Sequence, residues 1–365
     1  MRRVTRMALG VALAVGTISS VPVSAQASTT SGWQVADTVT HRDRTTTLNG
    51  VTSVSTRDVW AVGADSQMGP ALARHWNGRT WKNTMLPAPF RERGSRLSAV
   101  TSSAADNVWA FGTAQGGGYA LRWDGMRWTI SHAWPTGERI SGAVAVAPDD
   151  VWVFWEDVNQ SEPMGTWHFD GNGWRQVQNS FRLTAGSAVT PTDIWAVGGQ
   201  HQSDGTDRPL VARWDGNSWL EMPTPDIPYE WPYLPEFKAI HATSTDDVWV
   251  VGSRIERVDG QLLILPLALH WDGSAWQIGQ VPGENGLTSV ASDGRGGAWV
   301  SGTVGCTIRR YTNGEWTCPE LPGIAEKVLD IHALTQSPGT STYWGVGELV
   351  WGGLPNTDGV VLRYS

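Results

Sequence analysis

Lysine is nearly missing from this sequence: only Lys82, Lys238 and Lys327 occur in 365 residues, so almost all positive charge is arginine. Charge of either sign is sparse, at 17% of residues, and sums to −8. A net acidic chain is poorly suited to phosphate backbones, which sets nucleic acid aside as the main partner. Cysteine is limited to Cys306 and Cys318, leaving room for one disulfide at most. No apolar run reaches bilayer length, so no membrane span is expected. His-Glu-x-x-His, Gly-x-Ser-x-Gly, phosphate-loop and EF-hand patterns are all absent, and no cofactor is implied. Phe and Tyr are scarce, at six each. What stands in their place is tryptophan, 23 residues of it, with 42 glycines and 20 prolines. Such a composition suits a turn-rich β protein, and so many indoles ask for a repeated cause.

The N-terminus reads as a secretory signal peptide. Arg2, Arg3 and Arg6 precede a short apolar stretch, 7–18, and Ala25-Gln26-Ala27 supplies a small-x-small cleavage site. The expected division is a signal peptide over 1–27 and one secreted, extracellular domain over 28–365.

That domain is repetitive. Asp58-Val59-Trp60-Ala61-Val62-Gly63 recurs from Asn107, Asp150, Asp193 and Asp247, with degraded copies around Trp299 and Trp344. The seven tryptophans concerned are spaced 49, 43, 43, 54, 50 and 45 residues apart. Between them lies a second signature, His75-Trp76-Asn77-Gly78-Arg79-Thr80-Trp81 in its first copy. Each repeat reads as four short strands: one of small residues, one apolar on both faces, and a pair joined by the Asn/Asp-Gly turn. This is the arithmetic of an all-β, seven-bladed β-propeller with four antiparallel strands per blade. Gly50, Ala99, Gly142, Ala185, Ala239 and Ser289 suit the crowded innermost strands, and the large residues suit the splayed outer ones. The seventh repeat ends at Ser365 without a fourth strand, while Gly32-Trp33-Gln34-Val35 looks like that strand. The N-terminal strand is therefore expected to complete the last blade and close the ring.

With these Asp-Val-Trp-Ala-Val-Gly and Trp-Asp-Gly-x-x-Trp repeats the chain resembles secreted bacterial seven-bladed propellers of lectin-like or Asp-box type. Asp215-Gly216-Asn217-Ser218-Trp219 occupies the place of an Asp-box turn, with Asp and Gly adjacent rather than separated. The resemblance implies that such turns are structural, and it admits a subunit of a larger secreted assembly.

Every repeat carries His75, Arg122, His168, Arg213, His270, Arg310 or Arg363 just before its third-strand aromatic. Four of the seven are arginine, a poor metal ligand, so no metal site is expected there. These residues are expected to bond or stack within their blades, against the Asp58, Asp150, Asp193 and Asp247 class. His241 and His332 match each other on two innermost strands and are expected to be satisfied core histidines at the axis. For the cysteines, register with Tyr311 opposite Trp316 leaves Cys306 and Cys318 about 10 Å apart, beyond the ~7 Å Cα reach of a bridge. A bend near Gly305 would bring them together, and a bridge is the expectation in a secreted chain.

Function is sought where the repeats break down. The segments 155–165, 200–209, 221–236, 254–266 and 348–359 vary in length and share one face. Eighteen tryptophans hold repeat positions, and Trp167 aligns with core leucines. Trp134, Trp155, Trp231 and Trp351 remain, with Tyr229, Tyr233, Glu156, Asp204 and Asp207 beside them as candidate ligand-binding residues. Exposed aromatics beside carboxylates suit stacking on sugar rings, and equally suit a protein partner. The alternative is that they plug the channel or pin long loops. The expected function is a non-catalytic module that binds a glycan or a protein through this face. A polysaccharide-active hydrolase or lyase with carboxylates at the channel mouth is the alternative, although no spacing selects a catalytic pair.

Overall fold

The computed structural model describes residues 31–365 except 41–44, 67–68, 135–138, 157–165, 178–179, 203–206, 304, 323–326 and 352–356. The expected signal peptide lies outside the described residues. The segment Gly32–Ser365 is one compact unit of seven four-stranded antiparallel sheets. Their innermost strands touch in succession around a closed ring. The blades run over 46–83, 96–134, 139–177, 182–222, 236–279, 287–317 and 327–364. The N-terminal strand Trp33–Val39 pairs with Thr357–Tyr364 as the outermost strand of blade 7, closing the ring as expected. The only helical element among the described residues is one 3-10 turn, Ala88–Arg91.

The glycine ending the Asp-Val-Trp-Ala-Val-Gly segment has a steric origin. A Cβ on Gly63, Gly112, Gly198, Gly252 or Gly347 would stand 1.8–2.0 Å from a carbonyl oxygen of the neighbouring innermost strand. That strand carries a β-bulge at this position in all seven blades, at Asn49, Ser98, Ser141, Thr184, Lys238, Thr288 and His332, beside the glycine in six of them and beside Trp155 in blade 3. The bulge turns a side chain towards the next blade. Asn49 donates to Leu97 O at 2.9 Å, Ser98 to Ile140 O at 2.7 Å, Ser141 to Thr184 O at 2.6 Å and Thr288 to Ile331 O at 2.9 Å. His332 Nδ1 meets Leu48 O at 3.1 Å, carrying the same link from blade 7 to blade 1.

Tryptophan joins the outer parts of the blades. The outermost-strand Trp of each blade stands edge-on to the second-strand Trp of the blade before it: Trp128 on Trp60, Trp174 on Trp109, Trp219 on Trp152, Trp276 on Trp195, Trp316 on Trp249, Trp33 on Trp299 and Trp81 on Trp344. Centroids are 5.3–6.2 Å apart and the planes 79–89° from parallel, so the electropositive edge of one ring meets the π face of the other. The third-strand aromatic of the same following blade tilts against the same second-strand ring, as Trp123 does on Trp60 and Tyr364 on Trp299. Blade-to-blade packing thus accounts for the repeat tryptophans.

The turns joining third and fourth strands are built by aspartate. Asp124, Asp170, Asp215 and Asp272 each accept backbone N–H groups two and three residues on, at 2.8–3.1 Å, and Asn77 does the same at 3.0 Å. These bonds favour the charged carboxylate and hold all four below the usual aspartate range. The adjoining glycines have φ of +86° to +95°, where a side chain would be strained. Blade 6 departs from this pattern. Asn313 and Gly314 there both have positive φ, a two-residue hairpin turn that lets the outermost strand be only Glu315–Thr317. Tyr311 opposes Trp316 as expected, but the ladder stops at Ile308 and Thr317. Beyond it the chain bends at Gly305, with φ +81°, and Cys306 and Cys318 form a disulfide with Cα atoms 5.8 Å apart. The register offset does not apply once the ladder has ended.

Candidate functional site

The seven cationic positions all pack on an indole of their own blade. His75, His168 and His270 stack on Trp60, Trp152 and Trp249 at 4.2–4.4 Å, while Nε2 of each meets Asp58, Asp150 or Asp247 at 2.8–2.9 Å. Arg122, Arg213, Arg310 and Arg363 lie over Trp109, Trp195, Trp299 and Trp344 at 5.1–5.4 Å. Arg213 also donates to Asp193 at 2.6 Å. Each residue therefore covers the face of the second-strand indole that its own blade presents. His241 is likewise structural: its Nδ1 accepts the Ser292 N–H at 3.2 Å, and burial pushes the imidazole below its ordinary pKa against the opposing charge of Asp247.

The candidate ligand-binding residues separate into three groups. Trp134 and Trp155 are only 3% and 2% exposed and pack edge to face at 5.1 Å, with Trp167 against Trp134 at 5.7 Å. This corrects the expectation that they project for stacking, since they fill the joint between blades 2 and 3. Asp207 is likewise engaged, with Arg182 at the base of its hairpin. Asp204 and the side chains of Glu156 and Trp351 lie outside the described residues. Trp231, Tyr229 and Tyr233 are exposed, at 62%, 43% and 44%.

These three aromatics share a platform. Their loop, between Trp219–Met222 and Glu236–Ser244, lies on the hairpin of blade 5: Glu230 N donates to Ile255 O at 2.6 Å, and Arg257 clasps Glu230 Oε1 at 3.0 Å. The segment 254–266, expected to be a variable loop, is instead continuous ladder, as Asp247–Val258 and Gln261–Trp271 pair through to a tip at Asp259-Gly260. The expectation failed because Arg254, Glu256 and Arg257 hide the alternation that Leu262 and Ile264 continue. Beyond the blade the ladder has no neighbouring sheet to bury it. Val258, Leu262 and Ile264 remain exposed there, with the three aromatics on the adjoining loop. Apolar side chains held up on a rigid hairpin, with the Glu230–Arg257 pair among them, form a surface suited to a partner.

No protein-family model matches the chain, and no curated protein is significantly similar to it. Solved structures do match. YCF48 bound to a D1 peptide aligns with a TM-score of 0.58 at 14% identity, over 91% of this chain and 96% of that one. Virginiamycin B lyase from Staphylococcus aureus aligns at 0.57 and 12%, over 90% and 99%. A xyloglucanase from Xanthomonas campestris aligns at 0.54 and 13%, over 88% of this chain and 52% of that one. A peptide complex and two enzymes share the architecture, so the likeness shows the fold and leaves function to the site. Among the described residues, no helix is long and apolar enough to cross a membrane.

Proposed function

We propose that this protein is a secreted, non-catalytic binding module that engages a polypeptide partner through the blade-5 platform, as a free module or within a larger secreted assembly. The observation that carries this reading is the exposed apolar set of Leu262 and Ile264, on a hairpin longer than the blade requires, with Trp231, Tyr229 and Tyr233 on the loop bonded to it. Tyr and Trp are favoured anchors of protein interfaces, and aliphatic neighbours suit a polypeptide better than a sugar. The peptide bound to YCF48 is a precedent within the same architecture. The Cys306–Cys318 bridge and the leader-like N-terminus support an extracellular setting. A glycan remains a second reading, favoured by three exposed rings beside the Glu230 carboxylate.

Displayed-peptide selection and a glycan array, each run with wild type and with Trp231→Ala and Leu262→Ser, test the proposal. A polypeptide ligand that wild type holds and both variants lose by tenfold or more, at unchanged Tm, is the expected result. Loss confined to glycan spots supports the second reading. Binding that survives both substitutions removes the platform from the account.

A further inference from the structure

At the inner end of blade 7 the bulge residue is His332, where four other blades place an Asn, Ser or Thr that donates to a carbonyl of the next blade. His332 makes the equivalent contact through Nδ1, 3.1 Å from Leu48 O. A carbonyl only accepts, so Nδ1 carries the hydrogen, and in the neutral imidazole the lone pair is on Nε2. Nε2 faces Asp330 Oδ2 at 3.8 Å, too far for a hydrogen bond. Asp330 Oδ1 is buried without a hydrogen-bond partner. Across the ladder from Asp330 stands Glu348. Its Oε2 accepts from Thr47 Oγ1 at 2.6 Å and Thr357 Oγ1 at 3.1 Å, which fixes the carboxylate and leaves Oε1 available.

One ligand atom from each of Asp330, His332 and Glu348 lies within 4.8 Å of the others. We propose that these three side chains bind a divalent first-row metal ion such as Mn²⁺ or Zn²⁺. Each donor is oriented from behind: the imidazole by the Leu48 carbonyl, Glu348 by two hydroxyls and Asp330 by its place in the ladder. Support of this kind is what metal-binding histidines and carboxylates require. One imidazole with two carboxylates suits Zn²⁺ or Mn²⁺ better than Ca²⁺, which prefers oxygen donors throughout. Glu348, Thr47 and Thr357 also line a polar cavity of about 670 Å³, which gives water or an anionic ligand access to remaining coordination positions. Sequence alone marks His332 as a satisfied core histidine rather than a ligand, because Glu348 joins Asp330 and His332 only across the ladder and no local spacing announces it.

Isothermal titration of the full chain, stripped with chelator, with MnCl₂ and ZnCl₂ tests the proposal. Wild type is expected to bind one ion per chain. His332→Asn preserves the donor to Leu48 O, as Asn49 does in blade 1, but removes Nε2. It should keep the Tm of the stripped protein and weaken binding tenfold or more. Glu348→Gln should weaken binding likewise, and carries the test if the first variant fails to fold. No binding at millimolar metal, or binding unchanged in the folded variants, overturns the site.

Discussion

At the scale of single residues, the repeat glycines and histidines follow from close approach rather than from flexibility. A Cβ on Gly198 would lie 1.8 Å from Arg182 O, whereas one on Gly173 meets nothing within 4 Å. Gly198→Ala should therefore cost about 3 kcal/mol in chemical denaturation, because backbone must move, while Gly173→Ala is nearly neutral. His241 makes a pH-dependent contribution of known sign. Burial lowers its folded pKa, so the unfolded chain takes up the proton first, and stability falls as pH drops below about 6.5. Protonation also removes the lone pair that accepts the Ser292 N–H. Thermal melts from pH 7 to 5 should show a decline in wild type that is shallower in His241→Gln. The glycine pattern was visible in the repeats. The core place of His241 was legible from its innermost strand, but its partner Ser292 was not, because that residue belongs to the neighbouring blade.

At the scale of elements, the most degraded repeat is the one that is covalently tied. Blade 6 has a three-residue outermost strand, as short as that of blade 1, and a two-residue turn, and its bridge closes the hairpin from outside the ladder. The two cysteines are 12 residues apart in sequence. For a loop of that size the bridge should contribute roughly 3 kcal/mol by restricting the unfolded chain. Reduction, or the Cys306→Ser/Cys318→Ser pair, should lower Tm accordingly, measured against a non-reduced control. The blade-5 hairpin shows the opposite behaviour, since its ladder outgrows its sheet and leaves apolar side chains uncovered. Strand existence was legible from alternation in most blades. Strand length in blade 5 was not, because charged residues on the exposed part interrupt the pattern.

At the scale of the whole molecule, ring closure concentrates on one residue from the N-terminal strand. Trp33 is buried and supplies the edge-on contact to Trp299 that six other tryptophans supply elsewhere. Trp33→Ala should cost about 3–5 kcal/mol through the lost side chain and the cavity left at the joint. Urea denaturation followed by Trp fluorescence measures this, and an effect below 1 kcal/mol would show that the closing strand is dispensable.

Sequence alone determined the seven blades, the strand order within each and the closure by Trp33–Val39, because repetition multiplies every weak local signal. It also sorted most of the tryptophans into repeat positions. Tertiary structure alone decided which leftover aromatics are buried. Trp134 and Trp155 and the exposed Trp231 read alike in sequence, and only the neighbouring blade covers the first two. The meeting of Asp330, His332 and Glu348 had the same origin, since a bulge turns one side chain and a ladder brings another across. Burial and convergence depend on surfaces distant in the chain, and no local pattern encodes them.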